Sequence, residues 1–110
     1  MAWTVLFHPD AEDERRVLPA RERVALDNAV EKLKEIGPTL GYPHTSDVRG
    51  ADDIRELRPR QGRSAWRAFY REIGGTIVVG SIGPEAESRP RAFVKAVRKA
   101  ETRLGDVEEA

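Results

Sequence analysis

The sequence contains no cysteine. That excludes disulfides, thiol nucleophiles and thiolate metal sites, and it fits a reducing cytosol. Net charge is also absent, with Lys+Arg and Asp+Glu at 19 each. Bulk charge therefore predicts no polyanion partner, and any such case must come from how charge is distributed. No apolar run approaches the roughly 18–20 residues of a membrane span. The opening MAWTVLFHPD lacks a basic leader and a small-residue cleavage site, so a cytoplasmic location and no membrane partner are expected. No spacing of ligating residues suggests a metal, and no cofactor is expected.

What is present is a chain of 110 residues, 35% charged and 39% hydrophobic. It is highly charged but apolar enough to fold, and its length suggests one domain over residues 1–110 with one core. Positive charge gathers in residues 54–82, where Arg55, Arg58, Arg60, Arg63, Arg67 and Arg71 recur through what reads as a three-strand meander. Its breaks are Gly62 with its neighbours and the Gly74–Gly75 pair, both hairpin signals. Guanidinium forks on a sheet suit phosphate oxygens. A solvated face of an ordinary meander is the plainer alternative.

In chain order, residues 3–7 read as a short strand, and Pro9 favours a helix start. Residues 11–18 read as a short helix with acids first and arginines last, as the dipole prefers. Residues 19–36 form the long helix, with Val24, Leu26, Ala29, Val30, Leu33 and Ile36 as a core stripe, closed by Gly37 and Pro38. These two helices read as a hairpin. Residues 37–53 read as a loop. Strands follow at 54–59, 64–72 and 76–82. Trp66, Ala68 and Tyr70 share the face assigned to the helices. Arg67 is then expected on an open face, with Glu56 and Arg58 beside it if hairpin pairing is regular. A last helix at 90–104 stops at Gly105, leaving residues 105–110 as a frayed tail.

With these elements placed, the run GPTLGYPHTSDVRGADDIRELR and its continuation GRSAWRAFYR carry a recognisable pattern. Gly37-Pro38-x-Leu40-Gly41-x-Pro43, Glu56-Leu57-Arg58 and Arg67-x-x-Tyr70 occur in the order and spacing of RelE/ParE-superfamily toxins. The chain resembles their HigB-like branch over roughly residues 3–82. The resemblance implies an α+β fold, a twisted antiparallel sheet packed against a helical hairpin, with a C-terminal helix. It also implies the toxin of a type II toxin–antitoxin system. Such a toxin is typically a ribosome-associated mRNA endoribonuclease, and its cognate antitoxin in this branch usually carries a helix-turn-helix domain. A related class targets DNA gyrase instead, and a non-catalytic binding module of the same fold is a further alternative.

Residue by residue, the resemblance assigns Arg67 to the scissile phosphate and Arg58 to the same clamp. Glu56 could act as the base that takes a proton from a ribose 2′-hydroxyl. The RNA-binding candidates are Arg55, Arg60, Arg71, Arg89 and Lys95. Each has a structural alternative: for Arg58 it is a salt bridge to Glu56 or a helix acid, and Tyr70 reads as core before general acid. His44 and His8 are minor candidates. Arg91, Lys95, Arg98 and Lys99 read first as a solvated helix face. One segment departs from the family pattern. GPEAESRP places Glu85 and Glu87 where cations are expected, Arg89 is the only cation nearby, and Phe93 lacks a hydroxyl.

Overall fold

The computed structural model describes residues 2–110. A five-stranded sheet has the order β1-β5-β4-β3-β2, with β1 at Val5–Phe7, β2 at Thr45–Asp47, β3 at Arg55–Leu57, β4 at Trp66–Ile73 and β5 at Thr76–Pro84. The last four strands are antiparallel neighbours, while β1 runs parallel to β5 with Val5 opposite Ile77. The sheet is thus mixed at one edge.

Helices α1 (Pro9–Arg16) and α2 (Ala20–Ile36) cover one face. Pro9 opens α1, as expected, and His8 caps it: its Nδ1 accepts the Asp10 backbone N–H at 3.1 Å. His8 is therefore part of the fold. Leu26, Val30 and Leu33 of α2 pack with Leu57, Ala68, Tyr70, Ile77 and Val79 of the sheet. The α2 stripe is narrower than expected. Val24 and Ile36 lie outward and Ala25 lies inward, because Val24 stands about 200° round the helix from Leu26. Gly37 closes α2 at φ +80°, and a Cβ there would stand 2.2 Å from Trp3 Nε1. Trp3 itself lies outside β1.

The face expected to be open is covered by α3 (Pro90–Glu109). Ala96, Val97, Ala100 and Leu104 pack on Phe69 and Val78, and Phe93 meets Phe69 edge-on at 5.3 Å. There are therefore two cores, one on each side of the sheet. The helix does not stop at Gly105. It continues to Glu109, where Glu108 pairs with Arg71 of β4 and holds the last turn against the sheet.

The segment read as a loop contains β2, which pairs with β3 through Thr45–Leu57 and Asp47–Arg55. Three residues carry too little periodicity to be read locally, and their strand character comes from the partner.

Candidate functional site

Register brings the central residues together. Glu56 lies opposite Phe69 and Leu57 opposite Ala68, so the next step along the ladder sets Arg58 beside Arg67. Arg67 in turn faces Gly83 at the end of β5. Leu57 points into the α2-side core, so Glu56 and Arg58 point the other way, as expected.

Glu56 is 9% exposed. Its Oε1 accepts the Ser46 hydroxyl at 2.8 Å and Arg58 Nη1 at 3.2 Å. Among the described residues, no hydrogen bond reaches Oε2. Arg58 also donates from Nε to the Pro43 carbonyl at 3.1 Å, and its guanidinium carbon lies 5.1 Å from the centre of the Tyr42 ring. The turn after it, Pro59–Gly62, is tight, with Arg60 and Gln61 at positive φ. Gly62 has φ +91°, and a Cβ there would lie 2.4 Å from Arg58 Nη2. Glycine at this position therefore leaves room for the guanidinium.

Arg67 is not on an open face. It is 4% exposed, and its fork is occupied. Nη1 donates to the carbonyls of Ser64 (2.7 Å) and Trp66 (3.0 Å), and Nη2 to the Gly62 carbonyl and the Glu85 carboxylate, both at 3.3 Å. Burial pushes its pKa down, opposed by the Glu56 charge, assisted by Arg58 and opposed again by Glu85. The acidic segment after β5 thus closes directly on Arg67. Glu85 N–H is held by the Ala65 carbonyl at 2.9 Å, whereas Glu87 is exposed.

The other sequence candidates are dispersed. Arg55 lies on the α2-side face, bound to Asp47 and the Thr45 hydroxyl. Arg60 donates to Glu22 and the Arg21 carbonyl. Arg71, four residues along β4 from Arg67, holds the carbonyls of Asp52 and Asp53 and pairs with Glu108, a structural staple. Arg89 and Lys95 are exposed on or just before α3. Tyr70 is 3% exposed within the α2-side core, and its hydroxyl has no partner. His44 lies beside α2, across from Ala25 and Ala29. Sequence reasoning missed Ser46, which holds Glu56, and Ser64, which serves both Arg67 and Glu22. Ser46 becomes visible only through the β2–β3 pairing.

Glu22 fastens this turn to α2. Its carboxylate accepts Ser64 Oγ at 2.7 Å and Arg60 Nη1 at 2.8 Å. These bonds, the Ser64 hydroxyl foremost, hold its pKa below the ordinary 4.5. A lowered folded-state pKa adds stability above the unfolded value, and this is lost as pH falls through the folded one. Glu22→Gln is therefore expected to flatten the acid limb of stability below about pH 4.5. Urea midpoints of both proteins at neutral and acid pH will show this; parallel losses in the two would remove Glu22 from the account.

The cluster offers a carboxylate with one bare oxygen, braced by a hydroxyl and adjoining two guanidiniums. It sits at the edge of a sheet faced by helices on both sides. No group of three acidic or histidine side chains among the described residues is arranged to hold a metal, and no helix there is long and apolar enough to cross a membrane.

The fold is that of the RelE-type toxins. An arginine double mutant of Escherichia coli toxin RelE in the free state superposes with TM-score 0.64 at 25% identity, over 90% of this chain and 98% of that one. The RelBE2 toxin–antitoxin complex of Mycobacterium tuberculosis matches with TM-score 0.59 at 20% identity, over 77% and 100%. The archaeal RelE–RelB complex of Pyrococcus horikoshii matches with TM-score 0.56 at 18% identity, over 79% and 99%. No curated protein matches the sequence. Residues 13–82 match the family model described as phage derived protein Gp49-like, and the chain belongs to that family.

Proposed function

We propose that this protein is the toxin of a type II toxin–antitoxin pair of the HigB-like branch, cutting messenger RNA on the ribosome. The observation that carries the reading is Glu56: one oxygen is fixed by Ser46 and Arg58, and the other is left bare. In the proposed reaction Oε2 takes the proton of a ribose 2′-hydroxyl. That oxygen attacks the adjacent phosphorus, and Arg58 stabilises the charge growing on the phosphate oxygens. The bond to the 5′-oxygen breaks, leaving a 2′,3′-cyclic phosphate and a 5′-hydroxyl that takes its proton from water. The reaction uses side chains alone and no metal ion. Arg67 acts from below by fixing the turn that aims Arg58, and it meets the phosphate itself only when Glu85 departs. The partner is a cognate antitoxin, of the helix-turn-helix type in this branch, and both act in the cytoplasm. Solved relatives bound to RelB antitoxins support the pairing.

The test is a translation reaction on a defined message with purified protein. Cuts in ribosome-bound message, absent with Glu56→Gln, are expected; intact message removes the enzyme reading.

One observation favours a second reading, a binding module with a closed site: Glu85 occupies Arg67. Glu85→Ala separates the two. Freeing a charge-assisted donor is expected to tighten RNA binding about tenfold. Cleavage that appears only in this variant marks a site held shut in the native sequence. Cleavage lost with Glu85 shows that the pair is needed as it stands.

A further inference from the structure

Helix α2 has a second polar face beside its core stripe, with Ala25 and Ala29 on the boundary between them. Arg21, Ala25, Asn28, Ala29 and Lys32 follow one another at helical spacing. This face and the Pro59–Gly62 turn form the walls of a groove of about 340 Å³. Its floor is Ala25, Ala29, Leu40 and Leu57. The alanines keep it flat and open, since a larger side chain at either position would fill it.

The rim is unusual in a chain so rich in ion pairs. Arg21, Lys32, Asn28, Gln61 and His44 all border the groove, and none of their side chains has a hydrogen-bond or ion-pair partner among the described residues. Glu22, next to Arg21 in the chain, is already taken by Arg60 and Ser64. Positive charge is therefore uncompensated in a chain with no net charge.

The turn is also strained. Arg60 and Gln61 are successive non-glycine residues in the left-handed region, at φ 55° and 57°. That backbone is disfavoured for residues with a Cβ, and such strain gathers at functional sites. Here it aims Arg60 and Gln61 at the groove.

We propose that this groove is a nucleotide subsite for the RNA chain, taking the base of a nucleotide next to the one at Glu56. Arg58 borders both places, so one strand can run from the cluster into the groove. The flat apolar floor suits a planar ring. The carboxamides of Asn28 and Gln61, on opposite walls, offer both donors and acceptors to a base edge. Arg21 and Lys32 stand about 16 Å apart along α2, more than one backbone repeat, so each would meet the phosphate backbone at a different nucleotide along the strand. Tyr42, 76% exposed and stacked near Arg58, extends the platform. A protein helix fits less well, because the floor is short and its rim is polar on both sides.

The inference rests on RNA as the substrate, and its test does not depend on cleavage. Isotope-labelled protein is titrated with 2′-O-methyl trinucleotides of each base, which lack the attacking hydroxyl, and separately with inorganic phosphate. Trinucleotides are expected to shift the methyls of Ala25, Ala29 and Leu57 and the Gln61 amide, with base preference; phosphate alone is expected to leave those methyls unmoved. Ala29→Phe, which fills the groove from a half-exposed position, is expected to abolish these shifts. Gln61→Gly should melt higher, because strain is relieved, yet bind about tenfold more weakly; a merely structural turn would gain stability with no loss of binding. The subsite is overturned if the methyls stay silent or if Ala29→Phe binds as the wild type does. Methyl shifts without message cleavage keep the subsite and remove the enzyme; cleavage without them does the reverse.

Discussion

Arg67→Ala is expected to destabilise the protein by about 3–5 kcal/mol, the usual cost of removing one partner from a buried charged network. The guanidinium is 4% exposed and spends four hydrogen bonds on three backbone carbonyls and one carboxylate. Truncation leaves the carbonyls of Gly62, Ser64 and Trp66 short of a donor at the turn that carries Arg58. For a chain of this length the melting temperature falls by roughly 15 °C or more. Against a typical domain stability of about 5–15 kcal/mol, that is enough to lower abundance in cells. The family pattern alone suggests a clean loss of activity with the fold intact. The structure predicts instead that loss of toxicity in this variant comes largely through loss of folded protein. Arg67→Lys keeps the charge but not the fork, and should fall between the two. Thermal and urea unfolding check this; a variant that melts with the wild type would show that those carbonyls do not need the guanidinium.

Glu56→Gln is expected to lower the cleavage rate by about 10²–10⁴, the usual contribution of a positioned base, with RNA binding little changed. The substitution conserves shape. Its amide oxygen can still accept from the Ser46 hydroxyl and Arg58 Nη1, and Arg58 keeps the Pro43 carbonyl and its place over Tyr42. The stability loss should therefore be small, about 1 kcal/mol. The amide cannot accept the proton of a 2′-hydroxyl, so the chemical step alone suffers. Single-turnover rates on ribosome-bound message, with binding measured separately, make the comparison. Cleavage at the wild-type rate would move the base elsewhere. Ser46→Ala offers a graded companion: Glu56 keeps its charge but loses a brace, so the rate should fall by less.

Much of the fold is legible in the chain. The helical hairpin, the strands around Trp66–Tyr70 and Thr76–Ile82, and the last helix each announce themselves by periodicity and by glycine or proline at their ends. The side of β4 that faces α2 is legible too, because two large rings alternate with charge. That Glu56, Arg58 and Arg67 share a side follows from the chain only if the hairpin pairing is regular; the register itself, Glu56 opposite Phe69, comes from the structure. β2 is not legible: Thr45–Asp47 becomes a strand only because β3 lies beside it, and Ser46 reaches Glu56 only through that pairing. Nor is the covering of the second face. The apolar side of α3 is plain in the sequence, but nothing local says that it packs over Phe69 and Val78, or that the turn at 62–66 and Glu85 enclose Arg67.

The sequence by itself determined the fold class, the two-helix hairpin and the longer strands, since periodicity, turn chemistry and motif spacing are local properties. Tertiary structure alone decided how each of the central side chains is enclosed. It buried Arg67 beneath its own turn and Glu85, left one oxygen of Glu56 bare, and opened a groove along α2. Accessibility depends on which helix covers which face, and that is fixed by contacts between residues far apart in the chain.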